Sequence, residues 1–158
     1  MANQRPRTRN QTKIKKPEFV GWRTTDDEEM ARRRWRGATE VESFEILGDG
    51  HAPFTNYEVP STSGDPYQVE IRALAARENS CSCADFHISR LGTCKHIEGV
   101  LHLLRAKKKL GKKGTQSPRI EVYTSNDAHR QLKIAIPDHG LLPDGLLDKV
   151  TTHCDALG

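Results

Sequence analysis

Apolar side chains at Ile97, Val100, Leu101 and Leu104 recur at i, i+3, i+4 and i+7, the spacing of one helical face. This predicts a helix from about His96 to Lys109, ended by Gly111 and Gly114, with Glu98, His102, Arg105 and Lys109 on a separate polar face. Upstream the period falls to two. Tyr67, Val69, Ile71 and Ala73 share one face of a half-buried strand expected from Tyr67 to Leu74. Val41 to Leu47 alternates in part, Gly48-Asp49-Gly50 makes a turn, and Phe54 to Val59 returns. Beyond residue 118, Arg119 to Tyr123 and Leu132 to Ile136 flank a Thr-Ser-Asn-Asp turn, predicting a hairpin ended by Pro137; Leu146, Leu147 and Val150 then predict a short helix.

Near the start, Thr25-Asp26-Asp27-Glu28 has the form of a capping box, opening a helix that runs to Arg36 and stops at Gly37. Its apolar stripe is thin: Met30, Trp35 and Ala38. Trp22 and Trp35 read as packing anchors, with stacking on bases as the alternative. Short strands and segregated helices together give an α+β class.

The chain has 158 residues and 35% hydrophobic content, with a mean hydropathy of −0.72. A core that poor usually needs a further constraint, and a bound metal is one such constraint. No run approaches the ~20 apolar residues that span a bilayer, and residues 1–16 lack the apolar centre of a signal peptide. A cytoplasmic protein with reduced thiols is expected. Net charge is only +4, yet it is unevenly placed. Met1 to Arg36 carries eleven Lys/Arg against five acids, Arg105 to Arg119 carries seven and no acid, and the remainder is acidic. Such blocks suit a polyanion; the bland reading is solvated tails.

Three of the four cysteines lie within fourteen residues: Cys81-Ser82-Cys83, ten intervening residues, then Cys94-Lys95-His96. Three thiols and an imidazole complete a tetrahedral zinc ligand set. In extended chain, i and i+2 point to the same side, so Cys81 and Cys83 can pinch one ion. In a helix they diverge by roughly 200°, so Cys94 belongs just before the helix, with Thr93 as its cap and His96 in the first turn. The intervening loop offers Phe86, Ile88 and Leu91 as cover and Gly92 as the turn. Iron–sulfur and redox use remain as minor readings of the cluster, and His87 as a substitute for His96. Four protein ligands leave no position for an activated water, and no nucleophile–base pair is visible, so no enzyme is expected. His153 and Cys154 stand apart and read as a free or buried thiol.

With its alternating strand before and amphipathic helix after, the C-x-C…C-x-H pattern resembles the SWIM-type zinc finger, in "SCSCADF" and "LGTCKHIEGVL". The resemblance covers about Tyr67 to Arg105, and the family's zinc ligands fall on Cys81, Cys83, Cys94 and His96. It implies a zinc-stabilised ββα finger serving DNA or protein contacts. "SPRIEVY" and "LKIAIPDHG" also resemble the stretch after this finger in bacterial Swi/Snf-type helicases, although no GxxxxGK[ST] loop is present. The expected organisation is a basic arm over 1–17 and a helix-plus-hairpin packing region over 18–66. The finger follows over 67–110, then a basic linker over 111–118, and a hairpin with a short helix over 119–158.

Arg105, Lys107, Lys108, Lys109, Lys112 and Lys113 are the candidate nucleic-acid contacts, a phosphate clamp acting with the N-terminal arm. The expected function is thus a Zn²⁺ module that binds nucleic acid, DNA first, and accompanies a Swi/Snf-type helicase. The alternative is an adaptor that docks on an ATPase and touches no nucleic acid.

Overall fold

The computed structural model describes residues 14–18, 23–48, 52–62, 64–107, 120–124, 131–135, 145–146, 148–149 and 152. Its elements are α1 (Asp26–Glu40), β1 (Glu45–Leu47), β2 (Asn56–Val59), β3 (Tyr67–Glu70), β4 (Ser80–Cys81), α2 (Ala84–Ser89), α3 (Lys95–Ala106), β5 (Glu121–Thr124) and β6 (Leu132–Ala135). Strands β1 to β4 form an antiparallel meander in sequence order, and β5 and β6 form a separate hairpin. The class is mixed helix and sheet, as the patterning predicts.

The capping box forms: Thr25 Oγ1 accepts from the Glu28 amide at 3.3 Å, and the Thr25 amide donates to Glu28 Oε2 at 2.7 Å. The helix does not stop at Gly37; it continues to Glu40. Gly37 is there for packing. A Cβ on it would lie 2.6 Å from the Gly99 amide nitrogen and 2.7 Å from the Lys95 carbonyl oxygen. One on Gly99 would lie 2.4 Å from Val41 Cβ. Gly37 therefore lets the backbones of α1 and α3 meet while Gly99 makes room for the Val41 side chain, and the buried positions of α1 are Met30 and Gly37 rather than Trp35 and Ala38. Trp35 is half-buried beneath Lys16, whose ammonium lies 5.3 Å from the ring centre.

The expected strand from Tyr67 ends early, at Glu70, but its face is right: Val69, Ile71 and Ala73 are fully buried. After Glu70 the chain turns back, held by buried Asn79. Its Oδ1 accepts from the amides of Arg72 (2.8 Å) and Ala73 (3.0 Å), and its Nδ2 donates to the Ala73 carbonyl (2.9 Å). These three bonds satisfy polar groups that would otherwise be stranded in the core.

Ile97, Val100, Leu101 and Leu104 of α3 enter one core with Tyr57, Val59, Val69 and Ile71 of the sheet side. The helix is shorter than expected, ending at Ala106 with Lys107 as its cap. The β5–β6 hairpin forms where the alternation placed it. The helix expected near Leu146, Leu147 and Val150, together with Trp22, His153 and Cys154, falls largely or wholly outside the described residues. No helix among the described residues is long and apolar enough to cross a membrane.

Candidate metal centre

Cys81 ends β4, where register pairs it with Val69, itself paired with Tyr57. Cross-strand partners share a face, so the row that carries two core residues also turns Cys81 inward. Cys83 follows two residues later in extended conformation as the N-cap of α2, and its amide lies 3.5 Å from Cys81 Sγ. The residue between them pins the pincer. The Ser82 amide donates to the Gln68 carbonyl at 2.9 Å, and Ser82 Oγ accepts from the Gln68 amide at 3.0 Å.

Cys94 is itself the N-cap of α3. Thr93, expected in that role, instead donates to Glu98 Oε1 at 2.9 Å. His96 occupies the first turn, and its ring stacks on Tyr67 with centroids 4.2 Å apart and planes 23° from parallel. The ring presents Nδ1 to the sulfurs, 3.7 Å from Cys81 Sγ and 4.0 Å from Cys94 Sγ. All four donor atoms lie within 4.8 Å of one another and all four residues are buried. Such a group could hold one metal ion. Exposed His87, on α2, is not among the four.

The thiols restrain one another's ionisation. Hydrogen bonding with Cys83 is the main influence pushing the Cys81 thiol up to about 12, and bonding with Cys81 and Cys83 pushes Cys94 up as well. Cys83, the acceptor of the set, is pulled down by bonds from Cys81 and Cys94. Both Cys83 and Cys94 sit at helix N-termini, where the amide dipoles favour a thiolate.

The loop between the cysteine pairs is not irregular. Six of its residues form α2, which buries Phe86 but leaves Ile88 in solvent, 79% exposed, so Ile88 covers nothing. Leu91 is half-buried, and Gly92 makes its turn at φ +69°. What secures this loop is Arg33 of α1. Its Nε and Nη2 grip the Asp85 carboxylate at 3.1 and 2.6 Å, while Nη1 reaches Glu29 Oε2 at 2.8 Å. The fork geometry is the strong bidentate kind. Asp85 therefore anchors structure, and sequence reasoning missed its partner because 52 residues separate them. The ion pair of Lys95 with Glu40 (2.8 Å) adds a second tie between α1 and the metal-bearing segment.

Of the candidate nucleic-acid contacts, Arg105 and Lys107 are exposed, with the Lys107 ammonium 4.6 Å from the Phe44 ring centre. Lys108, Lys109, Lys112 and Lys113 lie outside the described residues. No family model, curated protein or solved structure matches this chain.

Proposed function

We propose that the chain is a structural zinc module that binds nucleic acid, DNA first, and accompanies a Swi/Snf-type helicase in the cytoplasm. The observation that carries the zinc reading is the buried Cys81–Cys83–Cys94–His96 group. A tetrahedron with Zn–S near 2.3 Å and Zn–N near 2.0–2.1 Å has sulfur–nitrogen edges of roughly 3.5 Å. The separations of 3.7 and 4.0 Å need only a slight contraction. A divalent cation would favour all three sulfurs as thiolates, which crowding alone opposes. With four protein donors the ion has no open position for water, so its role is to close the fold, not to catalyse.

The nucleic-acid reading is supported by the finger resemblance and by the basic run that begins at Arg105. Native mass spectrometry should find one zinc per chain, lost in Cys94→Ser. A titration against DNA over a salt series should show affinity falling steeply with salt, and neutralising Lys107, Lys108, Lys109, Lys112 and Lys113 should flatten the slope. Absence of binding at low salt would sink this part. The adaptor reading is favoured by a different observation, the exposed apolar residues Val122, Leu132 and Ile134 on the β5–β6 hairpin. Salt-tolerant capture of an ATPase, abolished by polar substitutions there, would support it instead.

A further inference from the structure

Two open grooves meet at Arg77. The first, about 460 Å³, lies between the metal-bearing loop and the β5–β6 hairpin, and is lined by Arg72, Arg77, His87, Arg90, Tyr123 and Lys133 among others. The second, about 380 Å³, runs beside α1 and α3 and is lined by Arg34, Arg77 and Arg105 among others. Both are also bounded by Asn79 and Gly92, so they are adjoining stretches of one trough. Each volume falls within the range of about 300–1,000 Å³ typical of ligand sites.

The trough is strongly basic. Six Arg/Lys side chains line it against two acids, Glu78 and Glu98. Three of these groups are already paired: Glu98 accepts from Thr93 at 2.9 Å and faces Arg34 at 3.9 Å, and Arg72 is ion-paired with Glu70 and donates to the Glu78 carbonyl at 2.9 Å, so the argument rests on Arg77, Arg90 and Arg105. The cations come from α1, the 71–79 turn, the end of α2, α3 and β6, segments that the sequence does not bring near one another. Only the fold gathers them. Two features fix the path. A Cβ on Gly92 would lie 3.0 Å from Arg77 Cβ, so the stem of Arg77 is held against the loop while its residue stays exposed. Further along, the Arg72 guanidinium lies over the Tyr123 ring at 4.9 Å, and Tyr123 pairs with Lys133 across the hairpin. An aromatic ring backed on one face by a guanidinium is a surface on which an unpaired base can stack, with its phosphate near the cations.

We propose that this trough carries a single strand of nucleic acid from Arg105 past Arg77 to Arg90, with phosphates on the arginines and a base against Tyr123. The inference rests on the nucleic-acid reading above and adds to it a route and a strand state. A duplex keeps its bases stacked inside, so an aromatic residue sunk in a cationic groove serves an unpaired strand. An acidic peptide would satisfy the arginines but would not stack on the Tyr123 ring.

The test uses the zinc-loaded full chain, fluorescent oligothymidine and a duplex of equal length, over a salt series. Arg77→Gln with Arg90→Gln should weaken oligothymidine binding about tenfold. The salt slope should flatten by about 1.4, the share of two phosphates on a single strand. Duplex affinity should move less than about twofold. Tyr123→Leu should weaken the single strand without altering the slope. Unchanged melting would show the variants fold, and Arg77→Lys should restore part of the affinity. If oligothymidine binding survives both glutamines yet falls when Lys107, Lys108, Lys109, Lys112 and Lys113 are neutralised, the trough is overturned while the broader reading stands. If polyglutamate competes as well as the oligonucleotide, the strand assignment is wrong. If the parent chain binds no nucleic acid at low salt, both readings fall together.

Discussion

The β2–β3 and β5–β6 hairpins are each four residues paired with four, and each shows apolar alternation in its sequence. Their fates differ. Tyr57 and Val69, paired across the first, are fully buried, whereas Val122 is 62% exposed and Leu132 73%. Alternation specifies which side chains share a face; it does not supply the second layer that covers that face. For β2–β3 that layer is α3, whose Ile97, Val100 and Leu104 join the same core. Cys94 and His96 stand at the start of α3, so on the zinc reading an ion held there would help decide whether the first hairpin has an inside.

On the zinc reading, the largest effect should come from removing the ion. Structural zinc in small fingers carries an apparent 10–16 kcal/mol of folding energy. A chelator should therefore abolish hydrogen-exchange protection in β2 and β3 while leaving β5 and β6 as they were. Equal protection with and without chelator would refute the link between the centre and the core. Truncation sharpens the contrast. Ile71→Ala should cost about 2–5 kcal/mol in a denaturant melt, because Ile71 is fully buried.

A pH titration gives a third separation. Burial pushes the Tyr57 phenol up to about 12, and its hydroxyl donates to the Pro53 carbonyl at 2.8 Å. The unfolded phenol ionises near 10. Stability is thus full below pH 10 and drains as pH climbs from 10 to 12, by about 2–3 kcal/mol. In Tyr57→Phe this alkaline limb should disappear. Gly99→Ala, which forces a carbon against Val41, should lower stability by about 1–3 kcal/mol by prising α1 from α3. At the small end, Leu132→Ala on the exposed hairpin face should stay within about 0.5 kcal/mol. A larger loss would mean that this face is covered in solution.

Much of the metal site was legible because its information is local. Two cysteines at i, i+2, a third followed by a histidine, and a helical period after them dictate a pincer, a helix start and a shared centre, and the structure brings those four donors together. The face of β3 and the capping box of α1 were local in the same sense. Several of the differences share one physical origin: the role of the residue is set by a partner far along the chain. Gly37 looks like a helix stop until Gly99 is laid against it. Asp85 finds its partner only in the fold, where Arg33, 52 residues away, grips it. Ser82 and Asn79, through bonds to Gln68 and to the Arg72 and Ala73 amides, hold the strand and turn that aim the sulfurs, and no periodicity marks those pairings. The short α2 was missed because six residues are too few to show a period, and Ile88 was assigned cover that its position in the helix denies it.

The contact of α1 with α3 also constrains how the protein can be made. Glu40 and Lys95, which bridge the two helices, are 55 residues apart. At about 5–20 residues per second the ribosome takes roughly 3–11 s to move from one to the other. Once the first helix has left the exit tunnel a similar interval passes before α3 follows it, and until then the bare backbone at Gly37 lacks the α3 backbone that packs on it. The last two ligands arrive at the end of the same interval. If an ion fixes Cys94 and His96 at the start of α3, as the zinc reading holds, folding on the ribosome waits on them, and a cell short of metal should accumulate nascent chains whose earliest helix has nothing to rest on.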